Sequence, residues 1–486
     1  MPNDVRIGRL HELLRSGETT AEEIVAAVLD RVTSLEATLN TFITLTPERA
    51  LAEARAVDQR IAHGEEIDPL AGIPVALADN ICTEALRTTC ASRMLGDFIP
   101  PFSAVVYHRL RQAGSVLIGK TNLDEFGMGT AGVPVFGPVP NPWDPTCLSG
   151  GPGWAPAAVV AVRQTALSIA SDAGGALRRF AACCGVVGLK PTYGLVPTHG
   201  LIEFAPSLDH LGPLTLDVTG CALALQAIAG ADAQDGFSTG TAGEAYTGYL
   251  GRGVRGRRIG VPREYLPPET HPGVRKAFEK SLDLLVDLGA EVEETSLPHT
   301  PYAPAAHLVL TSAEAFSNLS NFDGVRFGHR AEARHLHEMY RRTRHEGFSP
   351  EVRRRIVFGT LVLSGDHFED YFVKAQKVRT LVRRDFEQAF KRYDLLAAPT
   401  VPVPATAASG NGGPPEMRPE DLPLLPANLA GIPALSLPVG FAGGLPVGLQ
   451  LMGPPFGEGV LFSAGYALEQ QTGFYRTTPP ITGTEG

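Results

Sequence analysis

The chain opens with helical periods. Leu10, Leu13 and Leu14 recur at helical spacing, and Thr20 with Glu23 forms a capping box ahead of IVAAVLDRV. A third helix is predicted from Thr46 as its cap and Pro47 at its first position, running through ERALAEARAVDQRIAHG. The first 65 residues thus read as helices whose apolar faces need a larger body to pack on.

From residue 71 the period changes. GIPVALADN predicts a buried strand and a turn, SAVVYHRLRQAG a helix, SVLIGK a strand and TALSIASD another. This alternation continues to about residue 230. It resumes with the strand of RRIGVP and the helix and strand of HPGVRKAFEKSLDLLVDLGAEVEETSLP. The pattern is that of an α/β fold with a mixed central sheet flanked by helices. Residues 303–395 are mostly helical and charge-rich, with EVRRRIVFGTLVLSG and FVKAQKVRTLVRRDFEQAFKRY the clearest runs. PATAASGNGGPPEMRPED, ending at Asp421, reads as an exposed loop or flap. NLAGIPALSLPVGF and GLPVGLQLMGPP then restore core strands before a last helix, VLFSAGYALEQQTG. The expected organisation is a helical N-terminal layer over 1–70 and an α/β core over 71–486 that includes the helical excursion at 303–395.

Composition mainly excludes. An apolar fraction of 44% and a charged fraction of 19% are globular values. A net charge of −10 argues against a basic groove tracking phosphates, so direct nucleic-acid binding is not expected. MPNDVRIGRL lacks the regions of a signal peptide and no long uncharged apolar run follows, so a cytoplasmic protein without membrane association is expected. Cys82, Cys90, Cys147, Cys183, Cys184 and Cys221 form no CxxC pair and no metal spacing. They read as free thiols, with no metal and no cofactor implied, and adjacent Cys183 and Cys184 read as small core side chains.

The chemistry concentrates in SDAGGALRRFAACCGVVGLKP, residues 171–191. A glycine-rich loop entering a helix aims backbone N–H groups at an anion or a developing oxyanion. The same glycines also serve a tight strand-to-helix turn, and taken alone the stretch leaves both readings open. Asp172 is placed to hold loop N–H groups, as a short carboxylate beside a glycine turn does.

Longer stretches narrow the choice. GIPVALADNICTEALRTTCASRML, AGSVLIGKTNLDEFGMG, FGPVPNPWDP, FAACCGVVGLKPTYG, SLDHLGPLT, AQKVRT and NLAGIPALSLPVGFAGGLPVGLQLMG, in that order, resemble the amidase signature family nearly end to end. Within it the chain is most similar to the A subunits of glutamyl-tRNA(Gln)/aspartyl-tRNA(Asn) amidotransferases. The resemblance implies the amidase-signature fold and a Ser–cis-Ser–Lys triad. There a lysine, acting through a middle serine, deprotonates a nucleophilic serine, and loop N–H groups hold the oxyanion.

Carried over residue by residue, the resemblance fails at the reacting groups. The family's lysine lies in V-A-I-K-D-N; this chain reads VALADN, with Ala78 at that position. The middle serine opens the serine pair of G-G-S-S-G-G-S, where this chain has GGPGWAP and Pro152. The nucleophile of D-T-G-G-S-I-R is replaced in DAGGALR by Ala176. A proline after the family's cis bond predicts a cis Gly151–Pro152 peptide. Trp154 and Phe180 replace small or turn-forming residues; they either fill the vacated space or pack on ordinary neighbours. The anion loop Ala173, Gly174, Gly175 and Ala176 keeps its glycines. Arg354 or Arg355 in EVRRRIV, and Asp421, match the arginine and aspartate with which the family's A subunits grip glutamine, whereas GTAGVPVFG rewrites a hydroxyl-rich part of their pocket.

The expectation is a catalytically inactive amidase-fold protein, a pseudoenzyme with a scaffolding, regulatory or ligand-binding role. Its implied partners are a small C-subunit-like or a B-subunit-like protein and a small amide or carboxylate ligand. The alternative is a functioning amidase or amidotransferase component that uses other chemistry, with Cys147, Cys183 or Cys184 paired to His199 or His210.

Overall fold

The computed structural model describes residues 4–129, 134–147, 153–239, 244–405 and 421–482, and the backbone of Gly151 and Pro152. Its strands are β1 (Phe42–Leu45), β2 (Pro74–Ala78), β3 (Val116–Thr121), β4 (Leu167–Asp172), β5 (Val187–Lys190) and β6 (His210–Thr215). They continue with β7 (Arg258–Pro262), β8 (Glu291–Thr295), β9 (Leu395–Pro399), β10 (Ala434–Ala442) and β11 (Leu445–Met452). All lie in one sheet of order β1-β3-β2-β4-β6-β5-β10-β11-β9-β7-β8. β2 runs parallel to β3 and β4, and β7 parallel to β8 and β9. The remaining pairs are antiparallel, which makes the sheet mixed.

Helices cover both faces. α1 (Ile7–Ser16), α2 (Ala21–Leu39) and α3 (Pro47–Ala62) form the N-terminal layer. α4 (Val105–Gln112), α5 (Ala155–Ala161), α6 (Ala176–Cys184), α7 (Val218–Ile228) and α8 (Pro272–Asp287) alternate with strands. α9 (Ala303–Leu319), α10 (Leu336–Gly347), α11 (Pro350–Val362) and α12 (Lys374–Ala389) follow one another, before α13 (Leu425–Ala430) and α14 (Glu458–Thr472). All five residues of β2 are buried, as a strand covered on both faces requires; its continuous apolar run is the sequence sign of that burial. The edge strand β8, EVEET, instead carries exposed charge, which discourages further pairing.

Most predicted elements stand where the periodicity put them, and the Thr20–Glu23 box forms both of its hydrogen bonds at the start of α2. The N-terminal stretch differs from its all-helical reading. FITL folds as β1 and pairs antiparallel with β3, a segment too short for alternation to show. Thr46 stands at the N-cap position of α3 ahead of Pro47, but its side chain makes no capping bond: its hydroxyl donates to the carbonyls of Leu117 (2.8 Å) and Ile118 (3.0 Å) on β3. Ahead of α12, Phe368–Val373 winds as a π-helical segment. The predicted flap before Asp421 falls, over 406–420, outside the described residues. Among the described residues no helix is long and apolar enough to cross a membrane.

The capping box gives a direct test of the N-terminal layer. Thr20→Ala removes the acceptor for the Glu23 N–H and should lower unfolding stability by about 1 kcal/mol in urea titration. An unchanged midpoint would mean that α2 is held by packing alone.

Candidate functional site

β2 and β4 are parallel neighbours, so their carboxyl ends leave the sheet on the same side, where open α/β sheets build their sites. Ala78 ends β2 and is buried; Asp172 ends β4 and passes through Ala173, Gly174 and Gly175 into α6, whose first residue is Ala176. The Asn80 amide donates to Ser171 Oγ at 2.9 Å and ties the two strand ends together. A short helical turn, Gly151–Trp154, leads into α5 and delivers the Trp154 indole to Phe180, one helical turn beyond Ala176, at a ring separation of 5.2 Å. The Pro152 side chain lies outside the described residues. No cis peptide bond occurs among the described residues, and Gly151 and Pro152 wind into the short helical turn instead of passing through the predicted cis bond.

Polar bonds fix the glycine loop from beneath. Asp172 Oδ1 accepts from the Gly175 N–H at 2.6 Å and from the Asn428 amide at 2.9 Å. Its Oδ2 takes the Arg178 Nε–H at 3.2 Å, both side chains being fully buried. Arg178 also donates to the Asn428 and Gln450 side-chain carbonyls and to the Leu424 backbone carbonyl. Burial alone would raise the Asp172 carboxyl, but Arg178 beside it outweighs that and holds it at about 2. The network sets Gly175 at φ +100°, where a Cβ would also stand 2.4 Å from Leu424 Cβ. Only glycine meets both demands.

Trp154 and Phe180 pack closely against the turn that leads into α5. Trp154 is 1% exposed and Phe180 7%. A Cβ on Gly153 would lie 2.6 Å from both Asp124 Oδ2 and the Phe180 ring, so the turn is packed as closely as a residue without a side chain permits. The Trp154 Nε1–H is buried and has no hydrogen-bond partner among the described residues. Ala78 and Ala176 bring no titratable group to this edge.

Neighbouring side chains offer no evident replacement base. Lys120 lies next to Leu77 in the β2–β3 register, but its ammonium donates to the Ile81 carbonyl and to Thr88 Oγ1, 3.6 Å from Asp79. Thr121, not Lys120, stands opposite Ala78, and adjacent strand residues face opposite sides. Burial pulls the Lys120 amine down and the Asp79 carboxyl up. The Cys147 thiol is pushed up to about 11 by burial and the adjacent Asp144 carboxylate, the reverse of an activated thiol. Cys184 is raised as well, by burial and by Cys183. His199 stacks on Phe102 at 5.6 Å, and His210 Nδ1 faces the Leu208 carbonyl at 2.6 Å.

The structure adds a residue that sequence reasoning missed. His307 of α9 donates from Nε2 to the Ala173 carbonyl at 3.0 Å, across 134 positions of sequence. Burial, reinforced by the charges of Arg355 and Arg379, pulls it down to about 4 against the opposing Ala173 bond, so the ring is neutral at pH 7. No motif surrounds it in YAPAAHLVL. Arg355 is buried, bonds to Glu351 at 3.3 Å and lies over the Phe204 ring at 6.0 Å. Arg354 turns to Glu351 at 2.8 Å, and Asp421 forms an ion pair with Arg179 of α6. The expected ligand-gripping residues are thus engaged with protein partners, Asp421 on the helix of the loop and the two arginines on α11. Among the described residues no group of three or more His, Cys, Asp or Glu side chains is arranged to hold a metal.

Two stability measurements follow from this network. Arg178→Met leaves Asp172 buried without its cation and should cost about 3–5 kcal/mol of unfolding free energy; a loss under about 1 kcal/mol would contradict the role given to the pair. Lys190, against the Ile432 carbonyl and 3.3 Å from His210 Nε2, is pulled down to about 7 by burial and by Arg178, against the opposing charges of Asp172 and Glu458. From about pH 7 to the ordinary lysine value of about 10.4, the unfolded chain binds the proton that the folded chain has lost. Stability relative to Lys190→Met should therefore rise with pH across that window, and a flat difference would refute the assignment.

Comparison with known proteins places the chain among its relatives. The amidase family profile matches residues 23–462. A relative from Moorella thermoacetica, named as the A subunit of glutamyl-tRNA(Gln) amidotransferase, is 49% identical over 474 residues, covering 97% of each chain. The crystal structure of the protein of the same name from Thermotoga maritima superposes with a TM-score of 0.77 at 36% identity, covering 93% of this chain and 92% of that one. A structure described as a vestigial protein complex that reveals the evolutionary origins of an s-triazine catabolic enzyme superposes with a TM-score of 0.84 at 30% identity, covering 96% and 98%. The chain belongs to the amidase family.

Proposed function

We propose that this protein is a catalytically silent member of the amidase family, in which the triad positions are Ala78, Pro152 and Ala176. The observation that carries this reading is the helix entrance itself. The glycine loop is held in place by Asp172, yet Ala176 follows it without a nucleophile, and Trp154 and Phe180 pack against each other beside α6. A serine hydroxyl without a base is a weak nucleophile, and an alanine is none. Losing the nucleophile alone costs about 10⁶ in kcat in a serine protease.

The role that remains is scaffolding or regulation, with small amides or carboxylates as ligands of the loop. The nearness of the chain to proteins named as one component of an amidotransferase supports a protein partner resembling the small C subunit or the B subunit. Replacement chemistry by cysteine finds no support in the raised thiols of Cys147 and Cys184.

Ammonia release tests the reading. Purified protein given glutamine, asparagine and simple aliphatic and aryl amides should release none above background, and Cys147→Ala/Cys183→Ala/Cys184→Ala should behave alike. Turnover lost in that variant would establish a thiol enzyme; turnover retained in both would establish a different nucleophile. Either outcome overturns the proposal.

A further inference from the structure

Away from the glycine loop, a cleft of about 430 Å³ opens between the segment after β2, the turns Thr198–Glu203 and Gln234–Phe237, and the stretch following α9. Ala78, Trp154 and the loop Ala173 to Ala176 do not line it. Its volume falls within the range of small-molecule sites.

The lining combines two features. One wall is a corner of aromatic rings: Phe327 lies 5.8 Å from Phe98 and 5.5 Å from Phe322, the latter nearly perpendicular at 83°. At the mouth, Phe102 is 43% exposed, Phe237 58% and Phe327 36%, so apolar surface faces solvent on both sides of the opening. The other feature is negative charge. Asp235 is buried and accepts from the Thr198 and Phe237 N–H groups, which shapes the turn. Glu203 shares the cleft and, among the described residues, accepts a 3.3 Å bond from Thr198 Oγ1. Burial raises its carboxyl, and the like charges of Asp235 and Glu314 raise it further against that bond.

We propose that this cleft binds a small organic cation, an alkyl- or arylammonium whose charge lies at Glu203 and whose apolar body rests against Phe98, Phe322 and Phe327. Aromatic faces attract a cation through their quadrupole, and a carboxylate surrounded by like charges gains most from a positive ligand. An anion would meet Glu203 and Asp235 unfavourably. A neutral apolar molecule would fill the rings but leave the carboxylate unmatched. The site stands on residues separate from the glycine loop and does not depend on whether that loop is silent.

Calorimetric titration of the full chain with phenethylammonium at pH 8 tests the assignment, with phenethyl alcohol and phenylacetate as neutral and anionic counterparts. One saturable site with Kd of about 1 mM or below is expected, with the alcohol and the carboxylate each at least about tenfold weaker. Glu203→Gln and Phe327→Ala should each weaken phenethylammonium about tenfold while leaving the thermal transition in place. Absence of saturable binding, equal binding of the alcohol or phenylacetate, or unchanged affinity in both variants would overturn the proposal. Phe327 is partly exposed, so its variant keeps the test decisive even where Glu203→Gln disturbs the fold.

Discussion

The buried pair of Asp172 and Arg178 is the constraint on which the rest of this molecule's candidate site depends. It joins the end of β4, the first turn of α6, α13 through Asn428 and β11 through Gln450. The β4–α6 connection, α13 and β11, distant from one another in sequence, thereby meet at one ion pair. Removing both charges from water is costly, and their attraction repays that cost only because the remaining donors and acceptors are also matched. Asp172, held ionised by Arg178 and bonded to the Gly175 N–H, fixes the loop in a shape that other side chains would not accept.

That arrangement separates the architecture of a site from its chemistry. The loop, its carboxylate and its helix entrance are held by interactions among residues that take no part in proton transfer. They can persist when the reacting groups are replaced. Trp154 and Phe180, both buried and packed on each other, add apolar burial beside α6. His307 takes up the Ala173 carbonyl as a neutral donor, which further fixes the loop from the α9 side. The result is a rigid, closely packed edge of the sheet.

Much of this was legible in the sequence, because local signals carry local structure. The alternation of apolar runs and amphipathic helices gave the mixed sheet, and the Thr20–Glu23 box marked the start of α2. The motif stretches identified the family, in agreement with the match over residues 23–462. What escaped was long-range. β1 is four residues long and exists through pairing with β3, and the Thr46 hydroxyl, at the N-cap position of α3, is taken up by β3 carbonyls rather than by the helix. His307 reaches the loop across 134 positions, and Asp421 pairs with Arg179 of α6. The aromatic corner of the cleft likewise assembles Phe98, Phe322 and Phe327 from segments with no common motif.

The central claim is that no side chain at this edge of the sheet acts as an acylating nucleophile. Its most direct test is chemical trapping: incubation of the folded protein with an arylsulfonyl fluoride or fluorophosphonate, followed by intact-mass measurement and peptide mapping. The account predicts an unmodified mass under conditions that fully label an active serine amidase. A stoichiometric adduct on a residue between Asp172 and Cys184, or on Cys147, would contradict it.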